Sequence, residues 1–346
     1  MYTELLRGNL AQRSAEGKKK KMQLKKGDVI GYISPSTPIT SMAPIRYQRS
    51  LKFLENKGFI LKPGKLTGKK DYYRSGSIAE RAEEINEMIR DDTVKCIIST
   101  IGGMNSNSAL PYIDYKTFKE KPKIIIGYSD MTAILFAMYA KTGIPTFYGP
   151  ALVASFGEFE PFNEMTYKYF EDVLIDKKLP YTYEIPKTWT DEYINWEEQH
   201  GGKSQNINKW ITVNGGSAEG RIIIGNLNTM SGIWGSQFYP EIQEGDILFI
   251  EDSLLNAATI ERSFSFLKIN NVFDKISGLI LGKHELFDDQ GTGKKPYQIL
   301  EEILGEYDFP FLADVDCSHT HPMYTIPIGG KAYLNANLQK IELLEW

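Results

Sequence analysis

Gly127-Tyr-Ser129-Asp130 stands between the run Ile124-Ile-Ile126 and a stripe of Met131, Ile134, Leu135 and Met138 at helical spacing. A serine at such a strand-to-helix turn has an exposed hydroxyl. The helix N-terminus beside it offers free N–H groups and the positive end of its dipole to a developing oxyanion. That is the chemistry of acyl transfer. The full nucleophile-elbow pattern is not met, because Met131 stands where the second glycine would be. A plain helix cap fits the same turn.

Other segments could complete such a site. Ile101-Gly102-Gly103-Met-Asn105-Ser-Asn107 follows the β-rich run Val94 to Thr100, at the carboxyl end of a strand, where ligands gather in open α/β sheets. Paired glycines let a backbone N–H come close to a ligand; an ordinary turn capped by Asn or Ser reads the same. Neither these glycines nor Gly291-Thr-Gly-Lys294 has phosphate-loop spacing, which disfavours nucleotide hydrolysis. A base for Ser129 would come from His200, His284, His319 and His321, the four histidines of the chain. His319 and His321 would point oppositely on an extended segment, so one site is expected to use one of them. As a metal pair they lack an evident third ligand. Glu251 and Asp252 follow the apolar run Ile247 to Ile250, where a carboxylate can orient an imidazole or simply end a strand in solvent.

Positioning these groups requires a regular frame, and the pattern from residue 25 supplies one. A strand over 28–34 is followed by a helix over 43–57, ended by Gly58. Ser77 and Glu80 form a capping-box pattern ahead of Ile78, Ala82, Ile85 and Ile89. Strands at 94–100 and 123–126 and a helix over 130–142 complete the series, and Gly143-Ile-Pro145 stops that helix. The alternation predicts an N-terminal parallel-sheet α/β domain over 25–170. Residues 171–217, polar and aromatic without a clear period, read as a connecting segment and substrate loop. Residues 218–346 read as a smaller C-terminal α/β or α+β domain. Its expected strands lie at 221–224, 246–250 and 277–281, its helices near 257–269 and 295–304, and its further β-rich runs at 309–315 and 331–344. Residues 1–24 read as a disordered leader or tag.

The chain of 346 residues is 42% apolar and carries a net charge of -4, so no basic surplus points to nucleic acid. No apolar run reaches the roughly 18 residues of a membrane span, and no apolar stretch follows Lys18 to Lys21 to make a secretory signal. Cys96 and Cys317, far apart and without a CxxC pattern, suit a reducing, cytoplasmic compartment.

Four blocks in order resemble the LD-carboxypeptidase family of serine peptidases. They are Ile101-Gly-Gly103; Gly127-Tyr-Ser-Asp130; Gly225-Asn-Leu227 with Ile247 to Asp252; and Ser318-His-Thr-His-Pro322 through Ile326-Pro-Ile-Gly329. The resemblance implies Ser129 as nucleophile, Glu251 as the acidic triad member and His319 as the base. It implies an oxyanion hole from the N–H groups of Asp130 and Gly103. Ser318 departs mildly from the glycine usual before that histidine. No metal or cofactor is implied, and a homodimer is common.

Two branches of the family differ in substrate. One removes the terminal D-alanine of a murein tetrapeptide. The microcin-immunity branch cleaves the bond between a peptidyl or aminoacyl group and a nucleotide-like moiety. Gly102-Gly-Met-Asn105 and the insertion holding Trp189 and Trp196 resemble the second, which implies substrate contacts by Gly102, Asn105, Trp189, Trp196, Asn226 and Asn228. The tryptophans could equally pack the insertion, and the asparagines could cap the next helix. A non-catalytic binding protein on the same plan would need the cleft but not the triad. The expectation is amide hydrolysis of an aminoacyl-nucleotide.

Overall fold

The computed structural model describes residues 22–346; of the expected leader over 1–24, residues 1–21 lie outside the described residues, and residues 22–24 pack on the fold. Leu24 is buried, and its N–H donates to Leu174 O at 2.8 Å.

Six strands form the first sheet in the order Ile326–Ile328, Thr146–Tyr148, Ile124–Gly127, Val94–Ser99, Val29–Ile33 and Ile60–Pro63. The five from the N-terminal half run parallel, as expected. Their central members are near-continuous runs of isoleucine and valine because both faces are covered. Helices Pro44–Asn56 and Ile78–Arg90 form where the pattern placed them. Ser77 and Glu80 make the full capping box, and Ala82, Ile85 and Ile89 turn inward.

Eight strands form the second sheet: Tyr181–Thr182, Lys340–Glu345, Lys331–Asn335, Ser217–Asn226, Asp246–Glu251, Ile276–Gly282, Phe311–Val315 and Ile211–Asn214. Its centre, from Ser217–Asn226 to Phe311–Val315, is parallel. Its flanks are antiparallel, so the sheet is mixed. Two of its strands, Tyr181–Thr182 and Ile211–Asn214, come from the segment read as a connector. Too short to show a period, they are held by their neighbours rather than by their own pattern.

The two sheets are joined tightly. Ile326–Ile328 crosses from the C-terminal part of the chain to pair with Thr146–Tyr148. Helix Thr132–Thr142 lies between the sheets, and Ala133, Phe136 and Ala137 are buried along with the predicted stripe. It is therefore apolar on all sides rather than amphipathic. Gly225 lets the second sheet approach it: a Cβ there would sit 2.8 Å from Thr132 Cγ2 and 2.9 Å from Phe136 Cζ. Among the described residues no helix is long and apolar enough to cross a membrane.

Candidate active site

Ser129 follows the end of strand Ile124–Gly127 with φ +61°, a left-handed conformation that costs a non-glycine residue about 1–3 kcal/mol. Only surrounding structure can hold it. The Ser129 N–H donates to the Tyr148 hydroxyl at 3.1 Å, and Gly149 N–H donates to Gly127 O at 3.0 Å. Gly102 packs directly on the serine. A Cβ there would lie 2.7 Å from Ser129 Cβ, 2.8 Å from its Oγ and 3.1 Å from Asp130 N. The Asp130 carboxylate accepts from the N–H groups of Asn105 and Ser106 at 3.0 and 2.9 Å, which fixes the glycine turn to the serine turn.

Glu251 ends strand Asp246–Glu251 and is 1% exposed. Its Oε2 lies 2.7 Å from His319 Nδ1. Its Oε1 accepts from the Tyr148 hydroxyl and, at 3.1 Å, from Asn226 Nδ2. Burial alone would raise this carboxyl, but the His319 imidazole and these hydrogen bonds outweigh it and hold Glu251 below the usual range. His319 shows the reciprocal effect. Burial pulls it down, yet Glu251, with Glu285 and Asp252 behind it, pushes it up to about 9. Gly282 makes room for the pair, since a Cβ there would meet Glu251 Cβ at 2.8 Å and Ser318 Cβ at 3.2 Å. Asp252 is itself raised to about 6, first by burial and then by the Glu251 charge.

Ser129 and His319 line one cavity of about 530 Å³ between the sheets. Gly102, Gly103, Asn226, Asn228 and Trp196 line it too. Asn226 takes the capping role: Oδ1 caps helix Leu227–Ser231 through Thr229 N–H, while Nδ2 donates to Glu251 and Asp252. The Asn228 N–H donates to Asp252 at 3.0 Å. Trp196 lines the cavity while its ring carries the Arg46 guanidinium 4.3 Å from the centroid.

Asn105 and Trp189 lie elsewhere. Asn105 is outside the cavity wall, its Oδ1 taken by Arg81 at 2.7 Å and Ser36 at 3.2 Å. Trp189 lines a separate cavity, where Lys283 Nζ lies 5.5 Å from its ring centroid. The expectation that His319 and His321 face opposite ways is corrected, since both line the same cavity. The segment bends through 318–320 instead of running extended, so alternation does not apply. Their surroundings still differ. His321 Nε2 is 3.8 Å from Glu158, and burial, with Lys203 nearby, depresses it to about 3.

Sequence reasoning missed Tyr148, Lys203 and Glu285. Tyr148 closes a strand just before Gly149-Pro150, the same carboxyl-end position that drew notice at Ser129. Lys203 and Glu285 line the cavity from loops with no spacing signal.

Residues 30–149 match the model of the LD-carboxypeptidase N-terminal domain, and residues 219–334 that of its C-terminal domain. A putative carboxypeptidase of Vibrio cholerae is 54% identical over 303 residues, 88% of this chain and 91% of its own. The Microcin C7 self-immunity protein MccF of Escherichia coli is 52% identical over 322 residues, 92% of this chain and 94% of its own. The structure of MccF in complex with aspartyl sulfamoyl adenosine superposes with a TM-score of 0.91 at 52% identity, covering 94% of this chain and 98% of that one. The chain therefore belongs to the LD-carboxypeptidase family and is a serine-type, amide-hydrolysing peptidase of that family.

Proposed function

We propose that the protein cleaves the amide bond joining an aminoacyl or peptidyl group to a nucleotide-like moiety, using Ser129, His319 and Glu251. The observation that carries the reading is the 2.7 Å contact of His319 Nδ1 with Glu251, across one cavity from a serine held at positive φ. His319 Nε2 takes the Ser129 Oγ proton as the oxygen attacks the amide carbonyl, and Glu251 stabilises the imidazolium. The N–H groups of Asp130 and Gly103 hold the oxyanion. Collapse expels the amine, which leaves with the proton from His319. Water, deprotonated in turn by His319, releases the acyl group and restores the serine.

The nucleotide-conjugate substrate is supported by similarity to MccF, whose structure is known with aspartyl sulfamoyl adenosine. Trp196 in the cavity wall offers an aromatic ring beside which a base could stack. A homodimer in the cytoplasm accompanies this reading, and light scattering at twice the chain mass checks the first part of it.

Mass-spectrometric turnover of an aminoacyl-sulfamoyl adenosine and of a murein L,D-tetrapeptide, with Ser129→Ala as control, tests the reading. Serine-dependent cleavage of the nucleotide conjugate alone is expected. Cleavage of the tetrapeptide alone moves the protein to wall recycling. Turnover of neither overturns the nucleotide-conjugate assignment, and unchanged turnover in Ser129→Ala overturns the mechanism.

A further inference from the structure

Tyr148 is fully buried at the end of strand Thr146–Tyr148, in register with Gly127 on one side and Ile326 on the other. Its hydroxyl meets two groups at once. Ser129 N–H reaches it at 3.1 Å, and it is hydrogen-bonded to Glu251 Oε1. A phenol has one proton to give and lone pairs to accept with. The backbone N–H can only donate, and an ionised carboxylate can only accept. The hydroxyl therefore accepts from Ser129 and donates to Glu251. Burial, reinforced by the Glu251 charge, raises the phenol well above its ordinary value, so it keeps that proton.

One oxygen thus ties the strained nucleophile turn of the first sheet to the acidic residue of the second. Ser129 precedes Asp130, whose N–H is assigned to the oxyanion, so fixing the Ser129 amide fixes the plane beside that donor. On the other side, donation to Oε1 draws charge away from Oε2, the oxygen that holds His319.

We propose that Tyr148 is a positioning residue that sets both the attitude of Ser129 and the basicity of His319 through a single hydroxyl. The inference rests on Ser129 being the nucleophile. His319 is also faced by Asp252, Glu285 and Tyr128, and His284 stands near it, held neutral by burial. All of these are unchanged by substitution at Tyr148, so a shift there reports on the hydroxyl.

Phosphonylation of Ser129 by a fluorophosphonate tests this without knowledge of the substrate. The Oγ–P bond forms as fluoride leaves, and the serine proton passes to His319. In Tyr148→Phe, the maximal rate is expected to fall about tenfold to a hundredfold, the range for stranding a buried polar partner, with the probe's half-saturation concentration little changed. The rising limb of the pH profile should move to higher pH, because Oε2 gains charge. Replacing Tyr148 by 3-fluorotyrosine, whose hydroxyl donates more strongly, should move that limb the opposite way, and it keeps the proposal testable if Tyr148→Phe fails to fold. Limbs unmoved in the folded variants, or a normal rate in Tyr148→Phe, overturn it. If wild type and Ser129→Ala label alike, the serine reading falls and takes this inference with it. If labelling needs Ser129 but ignores Tyr148, only the inference falls.

Discussion

Glu251 Oε2 and His319 Nδ1 lie 2.7 Å apart although 68 positions separate them in the chain. The carboxylate is sealed from solvent, whereas the imidazole side chain keeps 14% of its surface open to the cavity. One partner is fixed and the other faces the reacting atoms.

Replacing Glu251 by Gln should leave the fold intact and lower kcat by as much as about 10⁴-fold, the scale seen when a triad acid becomes an amide. The pH limb should at the same time drop from about 9 towards the ordinary histidine value. Steady-state kinetics across pH check both. A limb that stays in place would detach His319 from Glu251.

Activity and stability should respond to alkali in opposite directions. A general base must be neutral, so kcat/KM should climb with pH through about 9 as His319 loses its proton. A histidine raised on folding stabilises the native state below its unfolded pKa, and that contribution disappears as pH rises through the folded one. Melting temperature should therefore decline over the interval in which activity rises. Calorimetry and kinetics on the same samples, with His319→Asn as reference, measure the two trends.

Gly102→Ala should cost activity rather than stability. The added Cβ would sit 2.7 Å from Ser129 Cβ and 2.8 Å from its Oγ, so the serine must move. A displacement near an ångström costs about a hundredfold in rate. Gly201→Ala, where a Cβ meets nothing within 4 Å, is the silent control. Equal kcat in both variants would contradict the packing.

Beneath the cavity, Arg46 and Glu158 form a fully buried pair at 3.0 Å, and Arg46 also donates to Val153 O, Ala154 O and Gln199. Arg46→Ala removes the nearest cation, leaves Glu158 the buried Lys203 ammonium at 3.7 Å, and should cost about 3 kcal/mol. The double variant Arg46→Met with Glu158→Gln should recover much of this in denaturant titration. No recovery would mean that the lost packing, not the bare charge, dominates.

The local sequence determined three strands of the first sheet, Val29–Ile33, Val94–Ser99 and Ile124–Gly127, the helices Pro44–Asn56, Ile78–Arg90 and Thr132–Thr142, the capping box at Ser77 and the serine turn. Each rests on contacts between residues close in the chain, where apolar period and turn chemistry act directly. It also contained Glu251, His319 and the glycine pair as candidates, each with a plainer role open to it. Tertiary structure decided which partners the candidate side chains meet. Asn226 became both cap and partner of Glu251, Asn105 was taken by Arg81, and Trp189 went to a separate cavity. The strands Tyr181–Thr182 and Ile211–Asn214, too short to carry a period, take their form from the sheet edges they join. Tyr148 was invisible for the same reason: its role consists of two hydrogen bonds to groups 19 and 103 positions away. Periodicity registers which face of an element is buried; only the docking of the two sheets fixes which polar atoms meet there.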